Sequence, residues 1–463
     1  MSRPAGIAAR LDGLPLTPLH VGIAVLCGLG LVIDVAELSL NGALSVVFST
    51  PPNRMEPFAL GLLVASVFLG AAVGAPLLGR LADRHGRRLT LRLSLVVVAV
   101  PSFAAALGPD GAWLTTCRFA AGLALGAYPP LMTAYLTDVL PPRWRARIIL
   151  IAVSIGVLGW PAVIFAVRWL SPIAPLGLEG WRWSLIGAGA AAAAMAWAFR
   201  HVPESPRWLA VAGRPAEAER ACRRFEDAAG IAAVARGGVG EAARGPALQS
   251  GREAATAGRA AAGAAAIDTR LPDGYWQRVT LIATVYLLRA WPTIGFPTVA
   301  GAMLVVKGWG AGDSLLFVGI AGFGASFGAL AASFVVDRFE RRTALTLCSL
   351  AMVGFGIAFA ASDTALGLVV AGTAFNVVGA IYGPVLSVYA AELFPTARRA
   401  TATATAWGAN RLGSALAPLA LLPLLAVGGP MAVLATIALA TGLNLVLILA
   451  FGPRGFAGRP VPG

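Results

Sequence analysis

Twelve stretches of this chain are each apolar enough and long enough to cross a lipid bilayer, and that limits the fold more than any other feature. A spanning helix needs about 20 mostly apolar residues. The stretches run at 20–47, 58–79, 89–108, 112–137, 147–170, 182–201, 277–305, 314–336, 343–361, 364–391, 400–425 and 428–452. Hydrocarbon offers peptide groups no water to bond, so segments of this kind fold as helices. The expected fold class is therefore all-α: a polytopic membrane protein of twelve transmembrane helices in two pseudo-symmetric six-helix halves. Residues 1–202 would form the N-terminal half, 203–276 a cytoplasmic central loop and 277–463 the C-terminal half. With 58% hydrophobic and 13% charged residues, and a mean hydropathy of +0.77, the composition is far too apolar for a soluble domain.

The net charge of +14 points to membrane orientation and not to nucleic acid. The basic groups are almost all arginine, with Lys307 the single lysine, and they fall in short loops between apolar runs. One set of hairpins holds Arg80, Arg84, Arg87 and Arg88, then Arg143, Arg145 and Arg147, then Arg338, Arg341 and Arg342, then Arg398 and Arg399. The other set offers isolated charges such as Arg54, Asp110, Lys307 and Asp363. The positive-inside rule then puts both termini and the central loop in the cytoplasm of an inner (plasma) membrane protein. The first residues, MSRPAGIAARLDGLPLTPLH, lack a short apolar core with a cleavage site and read as a cytoplasmic tail. In the central loop, Glu-Ser-Pro at 204–206 and Pro215 with its Glu/Arg-rich continuation predict helix, whereas 230–268 reads as an Ala, Gly and Arg linker.

The chain carries no constellation that would make it an enzyme. Cys27, Cys117, Cys222 and Cys348 are scattered, and His20, His85 and His201 sit near membrane edges. Neither a metal site, a Walker element nor a Ser-His-acid spacing is present, so no cofactor is expected. The energy source would be an ion gradient or the substrate gradient itself.

The decapeptide GRLADRHGRR, Gly79 to Arg88, joins the second and third stretches, and a worn copy, SFVVDRFERR, occupies Ser333 to Arg342 between the eighth and ninth. Duplicated hairpins at corresponding places indicate an internal repeat, and repeats of this kind place substrate sites between the halves. The first hairpin resembles the G-x-x-x-D-R-x-G-R-R signature of the major facilitator superfamily at every fixed position. RFAAGLALGAYPP from Arg118, AYLTDVLPPRWRAR from Ala134, PESPRWL at 203–209 and YAAELFPTARRATATATAWGANRLGSALAPL from Tyr389 resemble further elements of it, so that the likeness runs over about 20–452. The resemblance implies a conformational latch at Gly79, Asp83, Arg84, Gly86, Arg87, Arg88, Arg118, Asp138, Arg147, Glu204, Arg207, Asp337, Arg338, Glu392 and Arg399. Asp83 would hold arginines of neighbouring helices when the cavity opens outward.

Function should reside in the polar groups inside the membrane. Asp34 and Glu37 sit mid-way along the first stretch, on one stripe with Gly30, Asn41 and Ser45. Arg289 lies mid-seventh with Tyr286 and Thr293 one turn away; Asn376 lies mid-tenth, and Arg411 lies mid-eleventh with Trp407 and Ser414 on its face. A charge at that depth costs about 2.5–3.5 kcal/mol, so such residues usually face a cavity. A buried ion-pair set that only fixes packing would use the same residues. Tyr128, beside Pro129 and Pro130 at an expected break, and Tyr382 complete the candidate substrate and proton site, and Trp160-Pro161 marks a similar break.

The first stretch, IDVAELSLNGALS, resembles the acidic pattern of proton-coupled metabolite symporters that carry aromatic acids and nicotinate, with Glu37 where that pattern has a second Asp. The seventh lacks the paired glutamines of sugar porters. The expectation is a monomeric secondary transporter importing a small organic or aromatic acid with protons. Its substrate carboxylate would rest on Arg289 or Arg411, and Asp34 would be exposed by turns to water and to Arg289, with Glu37 assisting. A proton-driven efflux pump for amphipathic compounds and a non-transporting receptor on the same fold remain open alternatives.

Overall fold

The computed structural model describes residues 6–230, 274–335, 339–394 and 396–452. Among them the secondary structure is helical throughout, with no strand. The first six crossings are Pro18–Val47, Pro57–His85, Arg87–Leu107, Gly111–Gly122 continued by Tyr128–Val139, Pro142–Val157 continued by Gly159–Leu170, and Gly180–Ala198. The seventh is Tyr275–Ala290 continued by Phe296–Val306 through a π-helical turn at Trp291–Gly295. Ala311–Val335, Arg341–Ala361 and Ala365–Glu392 follow as the eighth to tenth.

The last helical run, Thr396–Phe451, has 56 residues. As one rod it would reach ~84 Å, against ~30 Å of hydrocarbon. It is instead two crossings, because Gly429 adopts φ 69° and breaks the helical conformation. Contacts at its two ends agree with a reversal there. Arg342, at the start of the ninth span, donates to the Gly452 carbonyl at 3.2 Å, while neighbouring Arg341 pairs with Glu392 at 3.3 Å, four residues before Thr396. Among the described residues nine helical segments are long and apolar enough to span unaided. The broken fourth, the 19-residue sixth and the doubling of the last bring the crossings to twelve.

Helix starts are set by the residues that precede them. Thr17 accepts from the His20 amide at 3.4 Å, Glu56 from Ala59 at 2.9 Å and Asp110 from Trp113 at 2.8 Å. Each satisfies an amide that the first helical turn leaves without a partner. Pro18 and Pro57 follow their caps at the position where a missing N–H costs nothing. Outward-facing apolar side chains such as Val100, Phe327 and Leu439 are exposed toward the lipid.

Lipid gives helices no hydrophobic drive to associate, so close packing of small residues does more of that task. The second and fourth spans meet through Gly70, Gly74 and Gly122. A Cβ at these positions would run into the carbonyls of Phe119, Leu123 and Val67. Contacts between the first six and last six spans run from mid-helix toward the end remote from the arginine-rich hairpins. Ser45 donates to the Thr298 carbonyl at 2.8 Å, Arg168 to that of Gly312 at 3.0 Å, and Ala65 and Phe68 pack on Ala415. At the arginine-rich end, every ion pair among the described residues stays within its own set of six spans. Gly79 there has open space beside it. The conformation is therefore closed at the sparse end and parted at the basic end.

Gly74→Val and Gly122→Val should each destabilise the bundle by about 1–3 kcal/mol through overpacking. A lowered thermal-unfolding midpoint of the detergent-purified protein checks this, and an unchanged midpoint would contradict the packing described.

Candidate functional site

Two lobes of one cavity lie where the two sets of spans face each other. A lobe of about 190 Å³ is lined by Leu38, Ser39, Phe68, Pro297 and Arg411 among others, and one of about 170 Å³ by Arg289, Phe375, Asn376 and Gly379 among others. Trp160, Thr293 and Ile294 line both. The seventh span brings its residues here through the π-helical turn, where Pro292 removes a backbone donor.

Arg289 is the site's least satisfied group. Its Nε and Nη1 are buried without a hydrogen-bond partner, and no carboxylate pairs with it among the described residues. Two rings offer it their faces instead: the guanidinium carbon lies 5.4 Å from the Tyr286 centroid and 5.7 Å from that of Trp407. Cation–π contact offsets part of the desolvation of a cation but supplies no hydrogen-bond acceptor. Asn376, on the same lobe, donates to the Ala321 carbonyl at 3.0 Å.

Asp34 has different company from that expected. The fourth span is interrupted between Gly122 and Tyr128, and Gly126 takes φ +81° in the interruption. Its amide donates to Asp34 Oδ1 at 3.2 Å, while Oδ2 is buried without a partner. Arg411 lies on the other side of Gly126, where a Cβ would approach Nη2 to 2.5 Å, and its charge attracts Asp34. The neighbouring cation of Asp34 is thus Arg411, and Arg289 belongs to the other lobe.

Glu37, expected to assist at the cavity, is fully buried in an ion pair with Arg118, and Ser102 donates to its other oxygen at 2.7 Å. Arg118 also holds the Glu37 carbonyl and, at 3.2 Å, Asn41. This corrects the placement of Arg118 as well, since it binds the first span deep in the bundle and not a partner in the basic hairpins. Tyr128 and Tyr382 are turned away from both lobes. Tyr128 donates to the Cys27 carbonyl at 3.2 Å and borders a small void with Asp34 and Gly30, and Tyr382 donates to Asn444 at 2.8 Å.

At the basic end, Glu204 accepts from the amides of Arg87 and Arg88 at 3.0 Å each, and so caps the third span. Gly86, at φ +108°, leaves room for that carboxylate. Arg88 donates to the Val202 carbonyl at 3.0 Å. Asp138 accepts from Ser205 at 2.9 Å, and its carbonyl accepts from Arg207 at 2.8 Å. Asp83 is 73% exposed and pairs at 2.7 Å with Arg87, the first residue of the third span, and Arg87 in turn lies 3.9 Å from Asp138 of the fourth. Arg84 is exposed, and Arg147 is exposed beside Trp144 at 5.9 Å instead of joining an ion pair. In the last six spans Glu392 holds Arg341. Asp337 and Arg338 lie outside the described residues, as does the side chain of Arg399 and the expected linker over 231–268.

Sequence reading passed over the short helix Ile7–Asp12. Arg10 forks between Glu226 at 2.8 Å and Glu219 at 2.6 Å, and Asp12 meets Arg207 at 2.5 Å. Glu226 and then Glu219 hold the Arg10 guanidinium charged above the usual arginine range, and Arg10 holds the Glu219 carboxyl below its own. The isolated Arg10 and Asp12 gave no periodicity to mark them. Gly126 lies within the RFAAGLALGAYPP element, but nothing in the sequence marked its amide as the partner of Asp34.

The sequence profile of the Major Facilitator Superfamily matches residues 26–418. The chain belongs to the major facilitator superfamily. This member is 25% identical over 419 residues to the niacin transporter NiaP of Acinetobacter baylyi, covering 89% of each chain. The arabinose-proton symporter of Bacillus subtilis is 32% identical over 215 residues, 44% of this chain and 46% of that one. The inward open structure of the xylose transporter XylE from E. coli superposes with a TM-score of 0.70 at 18% identity, over 94% of this chain and 97% of that chain. That likeness carries the fold alone. As a superfamily member, the chain is a multi-pass membrane protein and a secondary transporter.

The Glu37–Arg118 pair yields a stability test. Removing one partner of a buried pair costs about 3–5 kcal/mol, whereas replacing both with apolar groups is often neutral. Glu37→Gln should therefore lower the thermal-unfolding midpoint further than the double variant Glu37→Leu with Arg118→Met. The reverse order would contradict a packing role.

Proposed function

We propose that this superfamily member imports a small organic acid together with protons across the inner membrane, by alternating access, with its basic end and both termini in the cytoplasm. The observation that carries the reading is Arg289, a buried guanidinium with two donors unmet on the wall of a cavity between the two sets of spans. A carboxylate is the planar acceptor that fits such a fork. Trp160 and Phe375 beside it suit an aromatic or otherwise apolar acid body. A sugar would need many hydrogen-bonding side chains, and apart from Arg289, Arg411 and the Trp160 indole the two lobes supply only Ser39, Thr293, Thr298 and Asn376. The name of the relative NiaP, a niacin transporter, agrees with an aromatic acid, and the arabinose-proton symporter agrees with proton coupling.

In this mechanism Asp34 carries the proton. When ionised it holds Gly126 and attracts Arg411, and so ties the first span to the eleventh. Protonation loosens that tie and lets one six-helix half rock on the other. The parted basic end corresponds to the inward-facing state. Closure would bring the Glu204, Asp138 and Arg207 network of one half against the Glu392 region of the other.

Arg289→Lys should weaken carboxylate binding about tenfold or more, because a point charge does not reproduce the fork. Unchanged affinity in Arg289→Ala, or a neutral or cationic substrate, would overturn the organic-acid reading. Asp34→Asn should abolish concentrative uptake into proteoliposomes driven by a proton gradient while substrate counterflow persists. Full accumulation by that variant would remove Asp34 from coupling.

A further inference from the structure

Among the described residues, two carboxylates and three guanidiniums lie deep in the bundle near the two lobes: Asp34, Glu37, Arg118, Arg289 and Arg411. Their charges do not balance. Glu37 is committed to Arg118 inside the first six spans. Asp34 then stands alone against Arg289 and Arg411, which leaves one surplus positive charge when Asp34 is ionised and two when it is protonated. Surplus charge in a low-dielectric interior is costly, and a bound counter-charge removes that cost.

The two surplus cations line adjoining lobes. Arg411 lines one lobe and Arg289 the other, and the two lobes share Trp160, Thr293 and Ile294 in their walls. Trp407, on whose ring the Arg289 guanidinium rests, precedes Arg411 by four residues on the eleventh span, and the two guanidiniums are near enough to repel each other. Arg411 donates no hydrogen bond to another described residue; what meets its charge is Asp34, across the Gly126 peptide. Asp34 in turn is faced by Arg411, by Glu37 one turn along its own helix and by the Tyr128 hydroxyl from the fourth span.

We propose that the cavity is a two-headed anion site, which takes a small dicarboxylate with one carboxylate on Arg289 and the second on Arg411. This rests on the organic-acid reading above and specifies its substrate class. Proton coupling follows from charge balance. While Asp34 is ionised it competes for Arg411, and one substrate carboxylate suffices to neutralise the site. Once Asp34 takes a proton, Arg411 is released to the second carboxylate, so a dianion enters only with a proton. No bond is made or broken beyond that protonation. Trp160, on the wall shared by both lobes, would lie beside the body that separates the two carboxylates.

The test compares benzene-1,3-dicarboxylate with benzoate by calorimetry or thermal shift on the full purified protein. The wild type should bind the dicarboxylate about tenfold more tightly than benzoate. Asp34→Asn, which mimics the protonated state, should widen that ratio by about a further tenfold, and Arg411→Gln should bring it to about one. A ratio near one in both wild type and Asp34→Asn overturns the second anion subsite while benzoate binding that depends on Arg289 keeps the organic-acid reading. Failure of both acids to bind overturns both. If Arg411→Gln does not fold, the Asp34→Asn ratio decides alone, because it moves in opposite senses for a freed subsite and for generally loosened packing.

Discussion

A buried arginine that pairs with no carboxylate among the described residues is the constraint on which the rest of this bundle depends. Arg289 has its charge spread over the faces of Tyr286 and Trp407, with two donors left unmet. Ionisable groups within a membrane bundle face its interior or a cavity, and Arg289 lines such a cavity. The cavity exists because the two sets of six spans touch from mid-helix outward at one end and part at the other. It stays between them because Ser45, Gly42 and Gly61 on one side fit closely against Thr298, Pro297 and Leu419 on the other.

The two neighbouring acids are held by groups other than Arg289. Glu37, the acid that would otherwise be free to reach a cavity arginine, is closed off by Arg118 and Ser102. Asp34 is held to the fourth span by the Gly126 amide, which points at it only because that span is interrupted. The interruption in turn depends on Gly126 at a left-handed φ and on Pro129 and Pro130 starting the next segment. Far from this centre, the caps and ion pairs around Glu204, Asp138, Arg207 and Arg10 bind the basic end of the first six spans into one body. Exposed pairs in that collar are individually worth little, as at Asp83 with its 73% exposure, and their value lies in moving together.

Hydropathy made the twelve crossings readable, since length and apolarity alone decide what spans a bilayer. Tyr128-Pro129-Pro130 made the fourth-span break readable in the same way, and Glu-Ser-Pro and Pro215 announced the helices Pro206–Val211 and Pro215–Ala228. The midplane charges could be named from the sequence but not paired. Asp34 and Glu37 are one turn apart on one stripe, yet one meets Arg411 and the other Arg118, because helix rotation and the neighbouring span decide the partner. The motif marked Asp83 as a link to an arginine of a neighbouring helix, and it does pair with Arg87 at the start of the third span, but its 73% exposure at a helix end could not be read from the motif. Short terminal elements such as Ile7–Asp12 carry too few residues for any periodicity and are fixed by partners more than 200 positions away, as Arg10 is by Glu219 and Glu226.

The central claim is that an organic acid and a proton cross together through the site that Arg289 and Asp34 build. The most direct measurement is the pH inside proteoliposomes that enclose a pH-sensitive dye, after an inward gradient of the acid's anion is imposed with the external pH held constant. The account predicts acidification of the lumen in step with uptake of the acid, and none in liposomes carrying Arg289→Ala. Uptake of the acid through the protein with no change in luminal pH would contradict it.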